Sequence, residues 1–442
     1  MNLTRFNQHT LHIEHISTYQ SFSNLQISKS SNHISTSAHQ NISISIYNFT
    51  TFDAHYMEHP LPYHYIRSTP DLIKAIDALN SCSEIAVDIE FDRDRYAYGF
   101  NLCLIQIFGN GTSYLFDPFS EIDFKPVFEI LENPSILKVM HAPAEDLQLL
   151  HKLNCFPVSI FDTERSARLL NYGAFSLSNL LLGILNVAID KTQQKSNWTR
   201  TPLSDSQLKY AASDVAYLIQ LKDELLNLAM KMGLTFWLKE ENDFWNQYRV
   251  EEKPSGHFAN KEDSKKLPPY QLYVYNAVLG LRDRIACELN KPAYQIIPKE
   301  LAMDLIFKPE LLDTWQSQKG IHPNVKSPEF IKELRMVLER SNADATAAGL
   351  MKRTEAGRLT FAEREEAAKE RERIAQSVEL HIRPIHTKII ERYGENTAAY
   401  ILNEKTMTEL MSSKLKLTDL PFAYRVKLIQ SIASELEIHL PI

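Results

Sequence analysis

The sequence predicts an α/β domain built on a mixed β-sheet, followed by an all-helical C-terminal half. Three observations carry this. Apolar runs of strand length crowd residues 84 to 118, a strand-helix-strand alternation occupies 136 to 163, and beyond Ser176 the apolar spacing becomes almost wholly helical.

EIAVDIEF (84 to 91) reads as the first of these strands. LCLIQIFG (102 to 109) and TSYLFDP (112 to 118) meet across Gly109-Asn110-Gly111, which predicts a tight hairpin because Asn and Gly accept the positive φ of such turns. ILKVMHA (136 to 142) and SIFDT (159 to 163) flank a helical pattern with Leu147, Leu149, Leu150 and Leu153, a β-α-β unit. Meandering strands followed by such units imply a mixed sheet with helices packed on it. Leu177 to Leu185, and a long segment from Ser204 to about Met232, carry apolar stripes of helical period.

Residues 57–250 form one expected domain. The Ser-, Asn- and His-rich stretch 1–56 reads as a disordered extension, or as an upstream read-through of a chain starting at Met57; a transit peptide would be richer in Arg. Residues 251–267, polar and charged with Pro and Gly, are the expected linker. A small helical domain, 268–348, and a second helical unit, 349–442, should follow, with a charged, Ala-rich helix from Phe361 to Ala375.

With 442 residues, 44% apolar and 23% charged, the chain is long enough for two to four globular domains. No stretch reaches the ~20 apolar residues of a membrane span, and no secretory signal opens the chain, so a cytoplasmic protein is expected. Cys82, Cys103, Cys155 and Cys287 lack CxxC spacing and read as reduced residues, mostly in the core. The net charge of −7 is unevenly spread. Residues 251–442 hold 29 Lys and Arg against 28 Asp and Glu, which leaves 19 against 27 for residues 1–250. A carboxylate excess there does not exclude a nucleic acid partner, because bound cations reverse the local field.

In Val87-Asp88-Ile89-Glu90-Phe91 the two acids stand two apart on a strand and share one face, while the apolar residues fill the other. Adjacent acids repel unless a cation or solvent intervenes; a lone DxE is more often a surface-facing strand. Asp146 falls near the start of a helix just after a buried strand, where open α/β sheets present ligand-binding groups, although a first-turn acid also simply suits the helix dipole. Glu145 beside it leaves the choice of acid open on chemistry alone. In Tyr210-Ala211-Ala212-Ser213-Asp214 the i, i+4 spacing puts phenol and carboxylate on one helix face, and the alanines allow close approach. Together, Asp88, Glu90, Asp146 and Asp214 supply the oxygen ligands that two divalent cations, Mg2+ or Mn2+, require for in-line attack on a phosphodiester.

VDIEFDRDRYAYGFNLCLIQI, KVMHAPAEDLQLL and SNWTRTPLSDSQLKYAASDVAYL, within residues 62 to 232, resemble in order the three motifs of the DEDD exonucleases of the tyrosine subtype, and among them the ribonuclease D family. The resemblance implies an RNase H-like fold, metal binding by Asp88, Glu90, Asp146 and Asp214, and water positioning by Tyr210; it selects Asp146 over Glu145. Asn197 and Thr201 stand where typical members carry an Asp and a basic residue, while Trp198, Arg200 and Pro202 remain, a departure that bears on substrate rather than chemistry. The stretch from Pro268 resembles the HRDC helical domain, and ENTAAYILNEKTMTELMSS a degenerate second copy.

The implied activity is 3′→5′ trimming of RNA by a monomer, acting on 3′ ends of tRNA precursors and other stable RNAs and releasing nucleoside 5′-monophosphates. A DNA exonuclease is the rival reading, disfavoured by the absence of a helicase P-loop; a scaffold with a dead nuclease fold would be free to lose the acids, and all are present. Lys414, Lys416, Arg425, Lys427, Arg282 and Arg284 are candidate phosphate contacts in the helical half, against the plain reading of solvated helix faces.

Overall fold

The computed structural model describes residues 61–250, 258–350 and 361–440. The extension expected over 1–56 and the first part of the expected linker, 251–257, lie outside them.

Six strands form one mixed sheet: β1 (Tyr63–Ile66), β2 (Glu84–Arg93), β3 (Phe100–Gly109), β4 (Thr112–Phe116), β5 (Leu137–Met140) and β6 (Ile160–Asp162), in the order β1-β4-β3-β2-β5-β6. The meander β2-β3-β4 is antiparallel, and β5 and β6 extend it in parallel from β2, as the alternating pattern implies. The hairpin holds Asn110 and Gly111 at φ +49° and +78°. At the far edge β1 pairs in parallel with β4. Its four residues, YHYI, are too short a run for periodicity to single out.

Around the sheet lie α1 (Thr69–Asn80), α2 (Lys125–Glu132), α3 (Ala144–Lys152), α4 (Thr163–Leu169), α5 (Leu177–Leu180), α6 (Asp205–Ala216), α7 (Leu218–Met232) and α8 (Thr235–Gln247). The helix expected from 204 to 232 is two helices, broken at Tyr217 (φ −110°, ψ 0°). The break lets α6 cross β2, β3 and β4 while α7 packs on β2, β5, α4 and α8, following the twist of the sheet. Likewise, helix α5 widens after four residues into a five-residue wide turn, Leu181–Leu185, closed by Asn186 at φ +55°.

The segment expected as linker is structured from residue 258. Phe258 and Ala259 donate their backbone N–H groups to Asn276, both at 2.9 Å. Asn260 caps α9 (Lys261–Lys266), whose Asp263 is buried against Lys299 at 2.9 Å. The cap and its acidic first turn sit inside a run whose polarity hides them. Next come α10 (Pro269–Leu289), α11 (Ala293–Ile296), α12 (Lys299–Phe307) and α13 (Pro328–Ala347), which enclose a core of their own around Tyr275 and Trp315. This module meets the α/β domain at the loop after β2: Tyr98 donates to Asp283 at 2.8 Å, and Tyr294 donates to the Arg95 carbonyl at 3.1 Å.

The last helices, α14 (Phe361–Ser377), α15 (Arg383–Tyr393), α16 (Glu395–Ile401), α17 (Glu404–Met411) and α18 (Ala423–Glu435), attach differently. Ile382, Ile385, Ile401 and Ile432 belong to the same apolar core as Leu169, Leu218, Leu225 and Leu238 of the α/β domain. Within that junction Glu241 is fully enclosed and bonded by Arg165, Tyr400, Tyr424 and Arg425. Arg425 is thus committed to an internal ion pair and is no surface phosphate contact. Arg284 is paired with Glu288 and Glu333, and Arg282 donates to the Ile297 carbonyl; Lys414, Lys416 and Lys427 are exposed. Among the described residues no helix is long and apolar enough to cross a membrane.

Candidate active site

Alternation along β2 does what its sequence dictates. Val87 and Ile89 are buried in the core on one side, and Asp88 and Glu90 face a cavity of about 340 Å³ on the other. Just beyond them a register shift between Glu90 and Phe91 turns the strand, and buried Asp92 accepts N–H bonds from Tyr96 and Ala97, folding the loop that follows.

Asp146 arrives from the turn between β5 and α3. There Ala142 is held at φ +53°, a region L-residues with a side chain seldom occupy, by donating its N–H to Asp162 Oδ1 at 3.0 Å. Asp162 also caps α4 through the N–H groups of Glu164 and Arg165. The turn points Asp146 inward, 7% exposed, and leaves Glu145 outside, paired with Arg93 at 2.6 Å. Both acids line the cavity, Asp146 buried and Glu145 exposed and engaged by Arg93.

Helix α6 closes the site. Ser204 and Gln207 form a reciprocal capping box that fixes its start. Ala211 and Ala212, without exposed surface, let it lie close to the sheet, and Ser113 Oγ donates to the Ala212 carbonyl at 3.1 Å. Tyr210 and Asp214 consequently face the same cavity, and the phenol hydrogen-bonds Asp214. Asn197 Oδ1 accepts from the Thr199 N–H and hydroxyl at 3.0 and 2.7 Å.

Carboxylate oxygens of Asp88, Glu90 and Asp214 lie within 4.8 Å of one another, with Asp146 in the same cavity. Burial, offset in part by the Ile89 N–H, pushes Asp88 up to about 6. Glu90 is driven well above the usual carboxylate range by burial and then by Asp88, Asp214 and Asp146. Asp146 rises through burial, Asp88 and Glu145, and Asp214 through burial and Asp88 against the lowering bond from Tyr210. The Tyr210 phenol is raised far above its ordinary value by burial and the neighbouring acids. Such a group is short of positive charge, and its all-oxygen donors fit a hard divalent cation.

The cavity also contains residues that the sequence pattern does not single out. His141, pushed down to about 4 by burial, bonds the Thr163 hydroxyl at 2.9 Å. Lys191 and Gln194 enter from the loop before α6, and among the described residues Lys191 is the one Lys or Arg lining the cavity. His141 lies inside the second motif, five residues before Asp146, where its burial is invisible to local pattern; nothing local marks Lys191.

Residues 63–229 match the family model described as a 3′-5′ exonuclease. That part of the chain is a domain of this class. Ribonuclease D of Bartonella henselae is 30% identical over 243 residues, 54% of this chain and 60% of that protein. Ribonuclease D of Haemophilus influenzae is 30% identical over 271 residues, 60% of this chain and 64% of that protein. The matched part of the chain thus spans less than two thirds of either relative. The crystal structure of Escherichia coli RNase D shares the fold at a TM-score of 0.59 and 20% identity, over 84% of this chain and 99% of that one. By these comparisons the chain is similar to ribonuclease D, over part of its length and of theirs.

Proposed function

We propose that this chain is a metal-dependent 3′→5′ exoribonuclease that trims 3′ ends of tRNA precursors and other stable RNAs, one nucleoside 5′-monophosphate at a time. The observation that carries this reading is the set of four carboxylates and one phenol facing a single cavity within the residues matched as a 3′-5′ exonuclease. The E. coli relative, described as an exoribonuclease involved in structured RNA processing, supports RNA as the substrate.

Asp88, Glu90, Asp146 and Asp214 are the residues that would hold two Mg2+ or Mn2+ ions, which when bound activate water and neutralise the leaving 3′ oxygen. The remaining work falls to the chain. The Tyr210 hydroxyl donates to Asp214, which leaves its oxygen able to accept a hydrogen bond from the attacking water, so its role is to position that water. Lys191 brings a cation to a cavity otherwise dominated by acids, placed to meet a substrate phosphate. Residues 268–348 and 349–442 act as HRDC-like helical modules, with Lys414, Lys416 and Lys427 as exposed cations for the RNA backbone. The enzyme works as a monomer in the cytoplasm.

The test is incubation of a 5′-labelled RNA and its DNA equivalent with Mg2+ or Mn2+, followed over time. A ladder shortening from the 3′ end of the RNA, with release of 5′-monophosphates, is expected. Internal fragments, or equal or faster shortening of DNA, would defeat the assignment.

A further inference from the structure

The residues lining the cavity are not the only polar groups beside Asp88. On β3, Gln106 is the register partner of Asp88 on one side and of Leu115 of β4 on the other. Residues directly opposite in an antiparallel pair project from the same face of the sheet, with Cβ atoms roughly 4.5–5.5 Å apart. The Gln106 side chain therefore stands next to Asp88, in the layer covered by α6.

Gln106 is 0% exposed, and neither its Nε2 nor its Oε1 has a hydrogen-bond partner. Its surroundings explain this. Leu104, Leu115, Trp198 and Ala211 make that layer largely apolar, and the Ser113 hydroxyl is given to the Ala212 carbonyl. A buried amide with both ends unpaired is among the costliest groups a core can hold, and leucine would fill the space without that cost. The amide calls for a state of the protein in which it has a partner.

Cation binding supplies such a state. A carboxylate that holds a divalent ion must be ionised, and its remaining lone pairs then need donors. The Ile89 N–H is one donor to Asp88. We propose that Gln106 is the second: a positioning residue whose amide N–H donates to the Asp88 carboxylate when the cation is bound, fixing which oxygen faces the metal. The inference rests on reading the four acids as metal ligands, and it makes Gln106 a determinant of cation affinity rather than of folding.

The experiment uses the full chain, the variants Q106L and Q106M, and D88N. Mn2+ affinity is measured by calorimetry, trimming of RNA as a function of Mn2+ concentration, and melting temperature in EDTA. Q106L and Q106M are expected to bind Mn2+ about tenfold to a hundredfold more weakly, to regain trimming only at higher Mn2+, and to melt in EDTA at or above the temperature of the unaltered chain. Unchanged Mn2+ affinity in both Gln106 variants overturns the proposal, whatever their melting temperature, and leaves the metal assignment standing. An unaltered chain that binds no Mn2+, or a D88N variant that binds it equally well, removes the metal reading and this proposal with it.

Discussion

Two of the places where the chain buries carboxylates treat them in opposite ways. At the junction of α8 with α16 and α18, Glu241 has no exposed surface, yet each of its oxygens receives two donors. Tyr424 and Arg425 bond Oε1 at 2.6 and 2.7 Å, and Tyr400 and Arg165 bond Oε2 at 2.7 and 3.1 Å. In the cavity between β2, α3 and α6 four acids crowd together, and the Tyr210 phenol on Asp214 is the one side-chain donor found for them among the described residues. Compensated negative charge ties two parts of a fold together; uncompensated charge stores repulsion that an outside cation relieves.

The largest effect should come from removing one side of the compensated region altogether. A chain ending at residue 350 loses Tyr400, Tyr424 and Arg425 and strips the helices that share a core with α7 and α8. We expect it to lose its cooperative thermal transition in circular dichroism; a native-like melt would show that the two parts fold independently. Arg425→Met is the milder cut. It leaves Glu241 buried with fewer donors and should cost about 3–5 kcal/mol in urea unfolding, whereas an exposed ion pair such as Lys405–Glu409 should contribute less than about 1 kcal/mol.

At the uncompensated site the sign reverses. Asp88→Asn should reduce trimming by more than about a hundredfold while raising the melting temperature in EDTA, because one repelling charge has gone. A fall in that melting temperature would erase the contrast. Tyr210→Phe should slow the single-turnover rate by up to about a hundredfold, with RNA affinity nearly unchanged, since the ring still packs on Trp198.

The smallest effect is on pH dependence. Asp88 titrates at about 6 in the fold, above its ordinary 3.8, so between those values the native chain keeps a proton that the unfolded chain has lost. Its contribution to stability is favourable at the acid end and lost as pH rises through about 6. Added Mn2+ should accordingly raise the melting temperature more at pH 8 than at pH 5; an equal shift would mean that the acids are not the cation's partners.

Much of the cavity is legible in the sequence because it depends on local periodicity. A two-residue alternation puts Asp88 and Glu90 on one face, and a four-residue spacing aligns Tyr210 with Asp214. Long-range pairing is where that reading stops. Arg425 looks like any basic residue on a helix, and only the fold brings it to Glu241, 184 positions away. Gln106 is equally silent, since its meaning lies in the register of β3 against β2. Tyr217 breaks a helix whose apolar stripe runs straight through it, for the sake of the sheet beneath.

The core shared by the first and last parts of the chain has a consequence for the order of synthesis. Leu218, Leu225 and Leu238 are made long before Ile382, Ile401 and Ile432, which cover them in the finished fold. At roughly 5–20 residues per second, the ribosome needs several seconds to deliver the stretch from 361 onward. During that interval the acids can already stand on their strand and helices, but the scaffold behind them is open. Closure of that core waits for residues 361–440, so an interrupted message yields a chain whose core is left open.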